Sequence, residues 1–276
     1  MIDIVITGSS RPQLYPFFWE SFKKMMHYRG EKRIIVHEDF VFKDQSEKVV
    51  KWVQKNIPEA ELIIHNPSIG LGLALDDIIK NKLKSKYCFY LQEDWDFERP
   101  VDIDQILWVM DRHEKINLVF FNKITNTEEL NNATQPEYNY DGLKMCLYHS
   151  WTFLPGIWRS NFVKRHWRCR SERPEGFFTN SFGNHDQRKS NKFCEDKIGA
   201  YIYGGSNEYR YVRHIGNDWR MAKWRLENGK PGGCHDESRM DLPYMAPWIK
   251  YKKRPVRKKH SKEEIDKMLS EEAGIK

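Results

Sequence analysis

Four short apolar runs, rich in β-branched and aromatic residues, punctuate the first hundred residues, and each closes on polar ones. Ile2 to Thr7 ends at Gly8-Ser-Ser-Arg11-Pro12, and Arg33 to His37 ends at Glu38-Asp39. Glu61 to His65 runs into Asn66-Pro67-Ser68-Ile69-Gly70-Leu71-Gly72, and Tyr87 to Leu91 stops at Glu93, Asp94 and Asp96. Such runs read as buried strands. Between them the period becomes helical. Leu14, Phe18, Phe22 and Met25 mark one helix, with Pro12 in its first turn and Gly30 at its end. Asp44 to Glu47 has capping-box spacing ahead of Val49, Val50 and Val53. Leu71, Leu75, Ile78, Ile79 and Leu83 mark a third helix. A β-α-β-α-β-α-β order predicts an α/β, Rossmann-like fold, a mostly parallel sheet flanked by helices.

In such a sheet the strand ends converge on one crevice, the usual nucleotide site. Glu93, Asp94 and Asp96 repel one another unless a cation neutralises them, and hard oxygen ligands suit Mg²⁺ or Mn²⁺, which would in turn hold a diphosphate. The same acids also read as a solvated turn. Asp39 is placed to bond a base or ribose. Gly70-Leu-Gly72 would let backbone N–H groups approach phosphate, or is a plain turn; it is not the dinucleotide fingerprint, which has a third glycine and follows the first strand.

Taken together, Thr7 and Arg11 after the first strand, Asp39 after the second, Asn66, Gly70, Gly72 and Ala74 after the third, and Asp94-Trp95-Asp96 after the fourth resemble the donor half of a GT-A-fold glycosyltransferase of the family-2 type. The resemblance covers about the first hundred residues. It departs at Leu75-Asp76-Asp77, where family members often carry Arg-Asn, and Trp95 blurs which acid meets the metal. It implies a nucleotide-diphosphate sugar, most readily a uridine one, held by Thr7, Arg11, Asp39, Gly70, Gly72 and Glu93. Asp94 and Asp96 would bind Mn²⁺ or Mg²⁺, with His214, at the end of Tyr209-Arg-Tyr-Val-Arg-His214, as a further ligand.

Beyond residue 100, Ile106, Leu107, Val109 and Met110 suggest a helix and Asn117 to Asn122 a strand, whereas Thr125 to Asp141 reads as a surface loop. Trp151 and Trp158 flank a Pro-Gly turn, as stacking faces for an acceptor or as core aromatics. Asp186, in Gly183-Asn-His-Asp-Gln-Arg188, and second to it Glu175, are the carboxylates proposed to take an acceptor proton; the same residues also read as a capped turn. Ser261 to Glu264 caps a terminal amphipathic helix. The expected organisation is a compact catalytic unit, 1–245 (donor half 1–100, acceptor half 101–245), with an extension, 246–276.

The net charge of +7 is concentrated: residues 1–100 carry 15 basic and 15 acidic side chains, while Lys250 to His260 holds seven basic residues and no acid. Lys252, Lys253, Arg254 and Arg257 thus predict a phosphate-seeking patch, or a solubilising tail. No apolar run approaches a transmembrane span and no signal peptide is evident, so the expected location is the cytoplasm, the host's if the chain is phage-encoded. Five cysteines without a CxxC pair argue against disulfides and structural zinc. The compact basic profile resembles phage enzymes that glycosylate hydroxymethylated pyrimidines, which implies duplex DNA as a polyanionic acceptor. The alternatives are transfer to a cell-envelope polysaccharide or glycolipid, a non-catalytic nucleic-acid-binding module, and a nucleotidyltransferase.

Overall fold

A computed structural model describes residues 1–124, 136–168 and 174–216, with the backbone only for 175–177. The basic residues Lys252, Lys253, Arg254 and Arg257 and the terminal helix lie outside the described residues. The first half runs β1 (Ile2–Gly8), α1 (Tyr15–Met25), β2 (Met26–His27), β3 (Lys32–Asp39), α2 (Lys43–Asn56), β4 (Glu61–His65), α3 (Leu71–Asp77), β5 (Tyr87–Gln92), β6 (Trp95–Phe97) and β7 (Val101–Asp102). The second runs α4 (Ile103–Arg112), β8 (Leu118–Phe120), β9 (Glu137–Tyr140), β10 (Leu143–Tyr148), β11 (Gly156–Arg159), α5 (Ser160–His166), α6 (Pro174–Ser181), β12 (Ala200–Tyr203) and β13 (Val212–His214).

The main sheet has nine strands among the described residues, in the order β4-β3-β1-β5-β11-β8-β12-β10-β9. β4, β3, β1 and β5 are mutually parallel, as the crossover helices require. β11 and β10 alone oppose the common direction of the other seven. Register sets Gly8 opposite Glu38 and Thr7 opposite Gln92, so the polar residues that follow β1, β3 and β5 share one edge.

Local chemistry corrects several boundaries. Pro16, rather than Pro12, sits in the first turn of α1, and the helix ends at Met25 because Met26–His27 pairs in parallel with Val101–Asp102. Gly30 therefore lies beyond it. Phe42 precedes α2 without a side-chain cap, so the expected capping box does not form. The expected loop to Asp141 contains β9, which joins β10 through Asp141 and Gly142, at φ 52° and 88°. Two positive φ values make this the tight turn that matches strand twist, and Asp-Gly is its sequence signal.

Candidate functional site

β1 delivers Ser9, Ser10 and Arg11 to the edge where β5 delivers Glu93 and Asp94. The Arg11 guanidinium bridges both acids: Nε donates to Glu93 Oε1 and Nη1 to Asp94 Oδ2, each at 2.7 Å. The Ser9 N–H also donates to Glu93 Oε1, at 3.1 Å. The side chains are enclosed, with exposures of 16% for Arg11, 0% for Glu93 and 6% for Asp94. Burial pushes both carboxyls up. At Asp94 the Arg11 and His214 side chains overcome it and hold the group well below the usual carboxylate range, whereas Glu93 stays raised. Glu93 Oε2 and Asp94 Oδ1 are buried without a hydrogen-bond partner among the described residues. Buried carboxylate oxygens are normally bonded.

His214 reaches this turn from far along the chain. β13 pairs antiparallel with β6, setting His214 against Trp95 and Arg213 against Asp96. The imidazole lies 4.4 Å from the Trp95 ring, centroid to centroid, and its Nε2 is 3.4 Å from Asp94 Oδ2. Asn122, after β8, anchors the segment, its carbonyl accepting from the N–H groups of Tyr211 and Val212 at 3.0 and 3.1 Å. Gly216 closes it: its N–H donates to the Asp94 carbonyl at 3.2 Å, and a Cβ there would sit 2.6 Å from the Asp94 side chain. Asp96 is drawn elsewhere. Its Oδ2 accepts from Arg213 at 3.0 Å, and because side chains alternate along a strand, it leaves the ladder on the face opposite His214.

Beside Arg11 stands a buried group that the sequence reading passed over. Glu38 is fully buried and its Oε1 accepts from the Ser10 N–H at 2.7 Å and from Ser46 Oγ at 2.6 Å. Ser10 Oγ lies 2.7 Å from Ser46 Oγ and accepts from the Phe42 N–H at 2.8 Å. Ser10 has φ 54°, uncommon for a residue with a side chain, and this clamp holds it there and so aims Arg11. Burial lifts the Glu38 carboxyl to about 8 despite those donors. Its neighbour His37 is bonded to His65 at 2.8 Å, and burial and that second imidazole lower it to about 3. The available signal was the pairing of Glu38 with Gly8, which follows from aligning the two strand ends.

The other expected residues fall into place differently. Asp39 accepts from Ser68 Oγ at 2.6 Å and from the N–H groups of Ile69 and Gly70 at 2.9 and 3.2 Å, so it ties down the loop before α3, and the Gly70 N–H points at it. Gly72 is buried within α3. The Thr7 hydroxyl is buried against Tyr90 and Leu91, at 3.2 and 3.4 Å, and braces β1 on β5. The structure corrects the acceptor role of Trp151 and Trp158: each is 1% exposed, Trp158 stacks on Tyr90 at 4.4 Å and Trp151 packs against Phe178 at 4.9 Å. Neither offers an open face. Asp186 is exposed and pairs with Lys189 at 2.9 Å within its own turn. Glu175 lies on α6, its side chain outside the description.

Among the described residues no three His, Cys, Asp or Glu side chains make a ready metal-ligand set. The donors that do meet, Asp94 and His214, with unpartnered oxygens on Asp94 and Glu93, fit an ion that takes its remaining ligands from a bound phosphate, as Mg²⁺ commonly does.

No protein-family profile matches the sequence, and no curated protein matches it. Among solved structures it is similar to S. aureus TarS, at 12% identity and TM-score 0.51, over 82% of this chain and 39% of that one. The fold is of the GT-A type. TarS 1-349 in complex with UDP-GlcNAc is similar at 12% identity and TM-score 0.48, over 82% of this chain and 64% of that one. The mannosyltransferase PcManGT from Pyrobaculum calidifontis, in complex with GDP-Man and Mn²⁺, is similar at 8% identity and TM-score 0.47, over 84% and 65%. At these identities the GT-A likeness is one of fold. The chain spans less than two thirds of each of these structures. No helix among the described residues is long and apolar enough to cross a membrane.

Proposed function

We propose that this chain is a glycosyltransferase that takes its sugar from a nucleotide-diphosphate donor, a uridine one. The observation that carries the reading is the buried Arg11–Glu93–Asp94 cluster with His214 beside it, at the carboxyl ends of β1 and β5. Enclosed charge of both signs where parallel strands end is suited to holding a diphosphate. In the reaction the bond from the sugar's anomeric carbon to the diphosphate oxygen breaks and one to the acceptor oxygen forms. Arg11 would pair with the diphosphate as negative charge grows on it, the point at which fixed opposite charge lowers the barrier. Mn²⁺ or Mg²⁺ at Asp94 and His214 would neutralise the same leaving group when bound. Asp39 and the Ser68–Gly70 loop it holds would border the nucleoside. Asp186, with Glu175 second, would take the acceptor hydroxyl's proton.

The acceptor we propose is a hydroxymethylated base in duplex DNA, on the sequence charge of Lys250 to Lys259, including Lys252, Lys253, Arg254 and Arg257. It predicts duplex binding that weakens steeply with salt. Transfer to oligosaccharide or lipid vesicles, with none to DNA, would replace it.

The donor reading is tested by thermal unfolding with a panel of nucleotide sugars, each with and without Mn²⁺. A ligand at about 100-fold its Kd adds about 2.7 kcal/mol. A metal-dependent shift with one sugar nucleotide supports the reading; no shift with any of them removes it.

A further inference from the structure

Arg11 occupies the carboxylate oxygen that lies nearest His214. Its Nη1 sits 2.7 Å from Asp94 Oδ2, and His214 Nε2 sits 3.4 Å from the same atom. An ion taking Asp94 and His214 together would therefore meet a guanidinium already on that oxygen, in an enclosed place where like charges are poorly screened. The opposite oxygens, Asp94 Oδ1 and Glu93 Oε2, are buried and unpartnered among the described residues, so the cluster holds acceptor capacity that Arg11 does not fill. A guanidinium also pairs with phosphate oxygens as it does with carboxylate, through two parallel N–H donors.

The geometry points to Arg11 as the resting counter-ion of the acidic turn, displaced from Asp94 by the donor's diphosphate, so that divalent ion and nucleotide bind together and each weakly alone. This rests on the donor-site reading above and adds to it an order of events. In the free protein the guanidinium supplies the positive charge that two buried carboxylates require. With a diphosphate present it moves to the phosphate oxygens, and Asp94 becomes available beside His214. The coupling is reciprocal: whatever factor UDP adds to Mn²⁺ affinity, Mn²⁺ adds to UDP affinity.

The test is free Mn²⁺ by its paramagnetic resonance signal, titrated against the intact chain with and without UDP or GDP, with a protein-free Mn²⁺–nucleotide control. Wild type is expected to bind Mn²⁺ weakly alone and at least about tenfold more tightly with one of the nucleotides. Arg11→Gln is expected to bind Mn²⁺ alone at least about tenfold more tightly than wild type, because the competitor is gone. Arg11→Lys, whose single ammonium lacks the two-pronged bridge, is expected between them, and serves if Arg11→Gln fails to fold. Adding Asp94→Asn to Arg11→Gln should abolish the gain. Equal or weaker Mn²⁺ binding in both Arg11 variants overturns the counter-ion role, as does a gain that survives Asp94→Asn. A gain in Arg11→Gln with no effect of either nucleotide on wild type overturns the donor reading and its diphosphate step while supporting the counter-ion role.

Discussion

The two halves of the nine-stranded sheet use their burial for different ends. From β4 to β5 the strands are parallel, and their carboxyl ends enclose ionisable side chains: Arg11, Glu38, Asp39, Glu93 and Asp94, each held by backbone N–H groups or by one another. From β11 to β9 the ladder is mostly antiparallel, and the enclosed material is aromatic, with Trp158, Trp167 and Phe178 gathered around Trp151. Both sets of side chains are buried. The first uses burial to strengthen electrostatic interactions, the second to gain packing area. A tryptophan in one half and a carboxylate in the other therefore answer different questions, and substitutions separate them.

The largest stability effect belongs to the aromatic half. Trp158→Ala should cost about 3–5 kcal/mol in chemical denaturation. If it instead raised KM for the acceptor at unchanged stability, the division between the halves would be wrong. In the charged half, Asp94→Asn should lower kcat/KM about 10²–10³-fold, the loss typical when stabilisation of developing charge, here by the ion Asp94 would hold, is removed. Loss of stability alone, at unchanged kcat/KM, would make that cluster structural as well.

Glu38 sharpens the contrast through pH. Its folded carboxyl titrates at about 8, above its ordinary 4.5. Between those values the native state holds the proton and the unfolded state does not, so this group's contribution is full below pH 4.5 and is lost as pH rises through 8. Glu38→Gln, which imitates the protonated form, should remove a slope of at most about 1.4 kcal/mol per pH unit from unfolding curves above pH 6.5. His37 has the opposite sign. Lowered to about 3, it contributes stability above pH 6.5 that fades as pH falls toward 3. Within the wild type the two slopes oppose each other between about pH 4.5 and 6.5, which is why the Glu38 effect should be read above that range.

Smaller effects test the assignments within the motif. Asp96→Asn should cost about 1 kcal/mol or less, because its partial exposure and that of Arg213 weaken the pair. It should leave metal-dependent donor binding largely intact, and a loss equal to that of Asp94→Asn would restore Asp96 to the site. Asp186→Asn should change stability by no more than about 0.5 kcal/mol while abolishing turnover, and full activity would assign the proton to another base.

The sequence displayed the charged half more openly than the aromatic one. Polar residues after β1, β3, β4 and β5 stand out because they interrupt apolar runs, and parallel order alone sends them to one edge. Arg11, Glu93 and Asp94 were recognisable on that basis. Pairing partners were not: which of Asp94 and Asp96 meets His214 depends on β6 pairing with β13, more than a hundred residues away, and on the alternation of faces that this pairing fixes. Glu38 was hidden by its neighbour, since adjacent acids at a strand end point to opposite faces and composition cannot say which one the clamp takes. Trp151 and Trp158 show the reverse problem, because an indole beside a Pro-Gly turn has the same appearance whether its face is open or packed.

The short ladder between β6 and β13 also sets when the site can exist during folding. The pairs that build the cluster span from 82 residues, for Arg11 with Glu93, to well over a hundred, for Asp94 with His214. Loops of that length close late, after local helices and the neighbouring parallel strands have formed. A nascent chain that has reached β12 already possesses every strand of the large sheet, yet its acidic turn still lacks the imidazole. Completion of the cluster is thus a report that the whole described body has folded, and a proteolytic cut between Tyr203 and Val212 should silence the site while most of the sheet survives.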